Sequence, residues 1–149
     1  MKKIAIVGAL ENAGREMLEL LAEKEYPLAD VFAVENKTPM GTMVSYGEED
    51  DIDVYNLDDF DFSKVEGAIF ATPTEITKKY LPKAKAKGIR IVDCSGAIFS
   101  DTDVPMIVAS INGDVLSKTT GNVVSVPSFF VTQLLRSEER RVGKECRSR

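Results

Sequence analysis

The fold is decided by one stretch near the N-terminus, Lys3–Gly14, which has the sequence KIAIVGALENAG. The run Lys3–Val7 is short, apolar and rich in β-branched residues, which predicts a buried strand that ends at Gly8. Over Ala13–Lys24, leucine and methionine recur at helical spacing while charged residues take the other face, which predicts a helix. A second strand is predicted over Asp30–Val34. The order of strand, glycine turn, helix and strand predicts a βαβ unit with a right-handed crossover.

The rest of the chain continues the alternation of strands and helices. Further strands are predicted over Met43–Tyr46, Ile52–Tyr55, Gly67–Thr72, Ile89–Cys94, Val104–Ala109 and Asn122–Val126. The first two are expected to be exposed and to flank an acidic turn, Gly47–Asp51. A helix is predicted over Thr74–Lys87, kinked at Pro82 because proline has no N–H donor, and capped by Gly88. We therefore expect a Rossmann-type α/β fold, a doubly wound and mostly parallel sheet with helices on both faces.

One domain, residues 1–135, accounts for this pattern, and its last helix, Phe129–Leu135, is cut short. Residues 136–149, RSEERRVGKECRSR, contain six basic and three acidic residues and no apolar period. They are either a basic interaction tail or a non-native, disordered extension, since the string resembles a translated sequencing-library adapter. We expect the second, so that the intact gene continues past Leu135 and this chain is a fragment. A helix of two turns needs tertiary packing, so we also expect the isolated chain to be poorly soluble.

Composition argues against several classes of function. The chain has no histidine, the residue that most often performs acid–base catalysis near neutral pH. Its net charge of −5 argues against a nucleic-acid partner, which requires a basic patch. No apolar run approaches the ~18–20 residues of a membrane span, and the N-terminus does not resemble a signal peptide. Cys94 and Cys146 form neither a disulfide framework nor a metal-ligand pattern. We expect a cytoplasmic protein without a metal and without a membrane partner.

The glycine turn between the first strand and helix is the candidate for binding a small-molecule nucleotide. In such a turn the first glycine makes the tight bend, the middle one lets backbone approach a pyrophosphate, and the last allows close helix–strand packing. Gly8 and Gly14 occupy the outer positions, whereas Glu11 occupies the middle one. A carboxylate there repels a pyrophosphate while the helix N-terminus attracts it, so the turn alone leaves binding open.

The predicted second strand is followed by Glu35, Asn36, Lys37 and Thr38. A carboxylate at this point binds the ribose hydroxyls of NAD, whereas a cation accepts the 2′-phosphate of NADP. Both kinds of residue are present, and solvated loop charges are a third interpretation. The sequence therefore does not choose between the two cofactors.

Over residues 3–135 the chain resembles the aspartate-semialdehyde dehydrogenase family. The segments that carry the resemblance are IAIVGALENAGREMLELLAEKEYP, LDDFDFSKVEGAIFA, KYLPKAKAKGIRIVDCSGAIFSDTDVPMIV and GNVVSVPSFFVTQLL. The resemblance implies the NAD(P)-binding domain of an oxidoreductase of amino-acid biosynthesis, which reduces an acyl phosphate to aspartate semialdehyde with NADPH and forms dimers. The residues then expected to contact the nucleotide are Gly8, Leu10, Glu11, Asn12, Ala13, Gly14, Lys37 and Thr38.

The catalytic chemistry of that family does not carry over to this sequence. The family forms a thioester on the cysteine of an Asn-Pro-Asn-Cys motif, activated by a histidine. The matching positions here are Val126–Phe129, which end in phenylalanine, and Ser128 lies one place away from the required position. Cys94 is not expected to replace the nucleophile, because a cysteine at the end of a buried strand usually acts as a small apolar residue.

Other family positions have also changed. The phosphate-binding arginine falls on Phe99, and the Thr-Gly of the nucleotide loop falls on Leu10 and Glu11. The glycines that follow the GAIFA strand fall on Pro73 and Thr74.

We therefore expect a fragment of a catalytically inactive paralogue with no catalytic residue, which binds nucleotide or pairs with a family member as a homo- or hetero-dimer. The main alternative is a truncated but genuine NADP-dependent aspartate-semialdehyde dehydrogenase. Two others are an acyl-phosphate reductase of arginine synthesis, which several segments fit less well, and a domain that binds no ligand and serves only as a packing partner.

Overall fold

The computed structural model describes residues 3–128 and 130–137. Its centre is a sheet whose seven strands are β1 (Ile4–Val7), β2 (Val31–Glu35), β3 (Met43–Tyr46), β4 (Asp50–Asn56), β5 (Gly67–Phe70), β6 (Arg90–Asp93) and β7 (Val123–Ser125). Their order in space is β3-β4-β2-β1-β5-β6-β7, and every neighbouring pair is parallel except β3 with β4. Without β3, this is the strand order of doubly wound dinucleotide-binding domains. The predicted fold class is confirmed.

Helices cover both faces of the sheet. The helical segments are α1 (Asn12–Glu23), α2 (Thr74–Lys85), α3 (Ala109–Asn112) and residues 130–137. α1 packs on one face, where Leu18 joins a buried cluster with Ile6 of β1. α2 packs on the opposite face, where Tyr80 joins a second cluster with Val7 of the same strand. Successive side chains of a strand point to opposite faces, so β1 contributes to both cores. Within the described residues, no helix is long and apolar enough to cross a bilayer.

The connection from β4 to β5, residues 57–66, packs on the α2 face of the sheet through aromatic side chains. Phe60 and Phe62 meet edge to face with ring centroids 5.2 Å apart. Phe62 in turn stacks on Phe70 of β5 at 6.0 Å. Through these rings, the chain that leaves β4 packs back across the sheet and enters β5 beside β1.

The hairpin of β3 and β4 corrects the expectation that both strands are exposed. β4 pairs in parallel with β2, so the hairpin extends the main sheet. The residues that face α1 are buried, namely Val44, Tyr46, Ile52 and Val54. The strands are exposed on their other face only, as the alternation of apolar and polar residues requires.

The strand predicted over Val104–Ala109 is wrong. All six residues are described, and among them Met106 alone pairs with the sheet, through an isolated bridge to Ser125. The proline in this run has no N–H to donate to a strand ladder. The side chain of Asn112 bonds the backbone instead: it accepts from the N–H of Val108 at 2.7 Å and donates to the carbonyl of Met106 at 2.9 Å. The run keeps two backbone bonds to Ser125 of β7, from the N–H of Ile107 and to the carbonyl of Pro105, while the Asn112 amide takes the N–H of Val108 and the carbonyl of Met106.

The boundary predicted at Leu135 falls inside a helical segment, which continues to residue 137. The remainder of the predicted tail, residues 138–149, lies outside the described residues. Phe129, which the resemblance aligns with the family's cysteine, lies outside them as well.

Candidate functional site

The candidate site is the turn between β1 and α1, at the carboxyl ends of β1 and β5. Gly8 has a φ of +93°, a conformation that side-chain-bearing residues rarely adopt. A Cβ atom there would lie 2.9 Å from the carbonyl carbon of Ala71 and 3.0 Å from Cγ2 of Thr72. A Cβ atom on Gly14 would lie 1.9 Å from the carbonyl oxygen of Gly8. The structure therefore requires glycine at both ends of the turn, one for the bend and one for helix–strand contact.

The backbone of the turn is held against β2. The N–H groups of Gly8 and Ala9 both donate to the carbonyl of Val34, at 2.8 and 3.2 Å. The N–H of Glu11 donates to the carbonyl of Gly8 at 3.1 Å. The turn is thus fixed to the end of β2.

The first turn of α1 has unpaired amide groups. Glu11 occupies the N-cap position, but its side chain makes no capping hydrogen bond. Within the described part of the chain, the N–H groups of Asn12, Ala13 and Gly14 have no acceptor. Free amides at a helix N-terminus, together with the helix dipole, form an anion-binding position. The Glu11 side chain is exposed, so solvent screens the carboxylate that occupies the middle position of the turn.

Arg15 is a residue of this site that the sequence analysis did not single out. Its Nε donates to the carbonyl of Leu10 at 3.0 Å, which places a guanidinium beside the turn. The only signal in the sequence was its position directly after Gly14. The guanidinium thus adds a positive charge beside the turn.

The end of β2 reaches the same turn through Glu35. This side chain is only 8% exposed; its Oε2 accepts from the N–H of Leu10 at 3.0 Å and its Oε1 from the N–H of Asn36 at 2.8 Å. Lys37 is exposed and has a φ of +55°. The Oγ1 of Thr38 is buried and has no hydrogen-bond partner among the described residues. Of the charged residues predicted here, Glu35 contacts the turn, and Lys37 extends into solvent.

Thr38 also lines a cleft of about 590 Å³ beside the site. The cleft runs between the loop that follows β2 and the connection from β4 to β5, with Tyr55 and Phe60 among its lining residues. Its volume lies within the range of small-molecule sites. The predicted nucleotide residues from Gly8 to Gly14 do not line it.

On the other side of the turn, the loop after β6 is built around Asp93. This carboxylate is fully buried and accepts hydrogen bonds from the N–H and Oγ of Ser95, at 2.9 and 2.5 Å, and from the N–H of Ile98 at 3.2 Å. Thr74, at the start of α2, donates to the carbonyl of Ser95 at 2.8 Å. Phe99 follows this loop and is 64% exposed. An exposed phenyl ring, which cannot hold a phosphate, thus stands where the resemblance expects an arginine.

Cys94 is a poor nucleophile in this structure. Burial, with a smaller effect from the neighbouring Asp93 carboxylate, raises the pKa of its thiol from 9.0 to about 11. The thiolate is the reactive form, so the group is almost entirely unreactive thiol near neutral pH. Among the described residues, no three histidine, cysteine, aspartate or glutamate side chains form a group that could hold a metal ion.

The segment that the resemblance aligns with the family's cysteine motif follows β7. The N–H of Val126 donates to the carbonyl of Asp93 at 2.8 Å, which brings the segment to the edge of the sheet that carries the turn. Ser128 is exposed, and its Oγ accepts from the N–H of Val131 at 3.5 Å. The hydroxyl therefore faces the start of the following helical segment rather than a general base.

Comparison with known proteins agrees with this geometry. Residues 3–119 match the model of the semialdehyde dehydrogenase NAD-binding domain. The chain is 35% identical over 132 residues to aspartate-semialdehyde dehydrogenase from Rickettsia bellii and 33% identical to that from Rickettsia conorii. Each match covers 88% of this chain and 39% of the relative, so the chain spans about two fifths of the length of these enzymes.

Solved structures show the same relationship. Aspartate semialdehyde dehydrogenase II from Vibrio cholerae, complexed with ASA, superposes with a TM-score of 0.81 at 27% identity, covering 91% of this chain and 45% of that one. The enzyme from Candida albicans with NADP shares the fold, with a TM-score of 0.59 at 14% identity over 84% of this chain and 42% of that one. The glycine turn, the strand order and these matches together establish that the chain belongs to the semialdehyde dehydrogenase family and contains its NAD-binding domain.

Proposed function

We propose that this domain binds a nicotinamide dinucleotide at the Gly8–Gly14 turn and does not itself catalyse a dehydrogenase reaction. The observation that carries the binding half is the uncapped first turn of α1, which Gly14 holds against the carbonyl of Gly8. The unpaired amides lie where the strand order reverses, between β1 and β5. Dinucleotides bind at that point in doubly wound sheets, with the pyrophosphate at the helix N-terminus.

The charges around the turn support a site that is weakened but functional. Glu11 opposes a pyrophosphate, but its side chain is exposed and Arg15 lies beside the turn. A helix N-terminus stabilises an anion by about 0.3–1 kcal/mol at an exposed site, comparable with the cost of one screened like charge. We therefore expect binding in the micromolar range.

The form of the cofactor depends on the end of β2. The resemblance to the family implies NADP, and Lys37 is the cation nearest in sequence for its 2′-phosphate. Glu35 favours the unphosphorylated ribose of NAD instead, because a carboxylate accepts from a hydroxyl and repels a phosphate.

The absence of catalysis is supported by the residues at the family's reactive positions. Phe129 takes the place of the cysteine and Phe99 that of the phosphate-binding arginine, and the sequence contains no histidine. Among the described residues Cys94 is the only cysteine, and its raised pKa of about 11 makes its thiol a poor nucleophile. Pairing with a family member is the complementary part of the proposal. It is supported by exposed apolar side chains on helical residues 130–137, namely Phe130, Val131, Leu134 and Leu135.

One observation favours a second candidate, a truncated but genuine NADP-dependent aspartate-semialdehyde dehydrogenase. The matched relatives bear that name at up to 35% identity. The two candidates are separated by incubating the chain with aspartate semialdehyde, phosphate and NADP. Formation of NADPH above the rate of the same mixture without the protein would support the enzyme and contradict our proposal.

Calorimetric titration of the 149-residue chain with NADH and NADPH tests the binding half. We expect saturable heat with at least one of them. Glu11→Gln should tighten binding several-fold, because it removes a negative charge beside the pyrophosphate. Glu23→Gln, which removes the same charge at the far end of α1, should leave the affinity unchanged. The proposal fails if a folded sample gives no heat with either dinucleotide.

A further inference from the structure

The buried carboxylate of Glu35 has partners for only half of its hydrogen-bonding capacity. Each of its oxygens accepts one backbone N–H, that of Leu10 at 3.0 Å and that of Asn36 at 2.8 Å. An ionised carboxylate offers about four acceptor positions, so about two remain. None of the ion pairs among the described residues includes Glu35, and its negative charge is not neutralised by a neighbouring cation.

The position of this carboxylate is fixed from two directions. Glu35 ends β2 next to Val34, whose carbonyl accepts the N–H groups of Gly8 and Ala9. The bond to Leu10 adds a second link, across 25 residues of sequence, between β2 and the glycine turn. In a dinucleotide-binding domain, an acidic residue about 20 positions after the glycine turn faces the adenosine ribose.

The nearby cation is placed less favourably. Lys37 is exposed, and water and salt screen an exposed ammonium far more than a charge that is 8% exposed. The carboxylate therefore dominates the electrostatic field at the ribose. A 2′-hydroxyl can donate to a remaining lone pair of Glu35, whereas a 2′-phosphate has no proton to donate and adds like charge.

We infer that Glu35 is the residue that sets cofactor specificity in this domain, selecting NAD and excluding NADP. The inference rests on the proposed dinucleotide site and narrows it. It departs from the NADP that the family resemblance implies. Glu35 also withholds the Leu10 amide from a phosphate, so the pyrophosphate is left with the amides of the first turn of α1.

The test is a titration of the 149-residue chain and two variants with NADH and NADPH. Glu35→Gln keeps the size of the side chain but removes the charge, and it can accept only one of the two N–H groups. The matched control is Glu11→Gln, which removes a charge from the same turn at an exposed position. A thermal melt of each sample establishes that it is folded.

We expect the unmodified chain to bind NADH about tenfold more tightly than NADPH, and Glu35→Gln to reduce that ratio about tenfold. Glu11→Gln should strengthen both affinities and keep their ratio within about twofold. In the NMR spectrum, the Leu10 amide proton should shift much further in Glu35→Gln than in Glu11→Gln, because only the first substitution changes its acceptor.

The outcomes separate a failure of the inference from a failure of the proposed function. If both dinucleotides bind but Glu35→Gln leaves their ratio unchanged, the inference is wrong and the proposed function stands. If only Glu35→Gln binds NADPH and the unmodified chain binds neither, the exclusion by Glu35 is supported and the proposed function is not. If no folded variant binds either dinucleotide, both are overturned.

Discussion

The carbonyl oxygen of Gly8 occupies the space that a side chain at Gly14 would need, 1.9 Å from the position of its Cβ atom. This contact joins the residue directly after β1 to the first turn of α1. It holds the helix N-terminus over the edge of the sheet, where an anion reaches the free amides.

Gly14→Ala should therefore destabilise the domain. The helix must move away from the strand to admit the methyl group, which we expect to cost at least about 2 kcal/mol. Gly113→Ala is the matched control, because Gly113 has a helical φ of −59° and nothing lies within 4 Å of its Cβ position. The control should be neutral or stabilising by up to about 1 kcal/mol. Denaturant unfolding measures both, and equal stability of the two variants would refute the close contact.

Cys94 should resist alkylation until the solution is strongly alkaline. With a thiol pKa of about 11, the rate of reaction with iodoacetamide should rise with pH through 10 and beyond, whereas an ordinary thiol levels off near 9. Mass spectrometry of the native chain distinguishes Cys94 from Cys146, and the denatured chain supplies the reference rate. Rapid modification of Cys94 at pH 7 in the folded protein would show that the thiol is not buried.

The same shift predicts a loss of stability at high pH. Folding favours the protonated thiol, so nothing is lost below pH 9, where the group is protonated in both the folded and the unfolded chain. Between about pH 9 and 11 the unfolded chain ionises while the folded one does not, and the free energy of unfolding should decline. Cys94→Ala should remove this part of the decline in unfolding measurements made over that range.

Asp58 should titrate below its usual range because of Tyr80. The phenol of Tyr80 donates to its Oδ1, which is the main cause of the lowered pKa of this carboxyl, and Lys79 adds a smaller effect. Tyr80→Phe should raise the pKa of Asp58, as followed by the NMR shift of its carboxyl carbon. Lys83→Met is the control, because Lys83 donates to the backbone carbonyl of Asp58 at 2.9 Å and not to its carboxylate. A larger effect from Lys83→Met than from Tyr80→Phe would contradict this assignment.

The exposed apolar face of residues 130–137 should make the isolated chain self-associate. Phe130 is 73% exposed and Leu134 is 53% exposed, on a segment of eight described helical residues. Replacing both by aspartate should shift the sedimentation profile toward monomer. Met40→Ser removes an isolated exposed apolar side chain and should have no effect. A monodisperse monomer in the unmodified chain would refute this prediction.

The sequence was sufficient for the elements that have a clear period and local end signals. The strand Ile4–Val7, the helix after it and the next strand all lie within one or two residues of their predicted bounds. Sequence reasoning failed at Val104–Ala109, where six apolar-rich residues have the composition of a strand. There a proline limits the ladder to the two bonds with Ser125, and the side-chain amide of Asn112 takes the N–H of Val108 and the carbonyl of Met106. The composition of a short run does not show that a side chain outside it will compete for its backbone hydrogen bonds.

The sequence predicted where the site lies, but not which hydrogen bonds hold it. Gly8 and Gly14 can be recognised in the sequence because they lie between the predicted strand and the predicted helix. The hydrogen bond from Leu10 to Glu35 spans 25 residues and depends on how β2 pairs with β1. For the same reason the sequence did not choose between NAD and NADP, and Lys37 rather than Glu35 was named among the expected nucleotide contacts. Only the folded chain shows that one is buried against the turn and the other is exposed.

The most direct test of the central claim is an NMR titration of the amide groups with NADH. Binding at the glycine turn predicts saturable shifts in the N–H resonances of Asn12, Ala13 and Gly14, with smaller changes at Leu10 and Glu35. Shifts confined to the cleft beside Tyr55 and Phe60, or no shifts at all in a folded sample, would contradict a dinucleotide site at this turn.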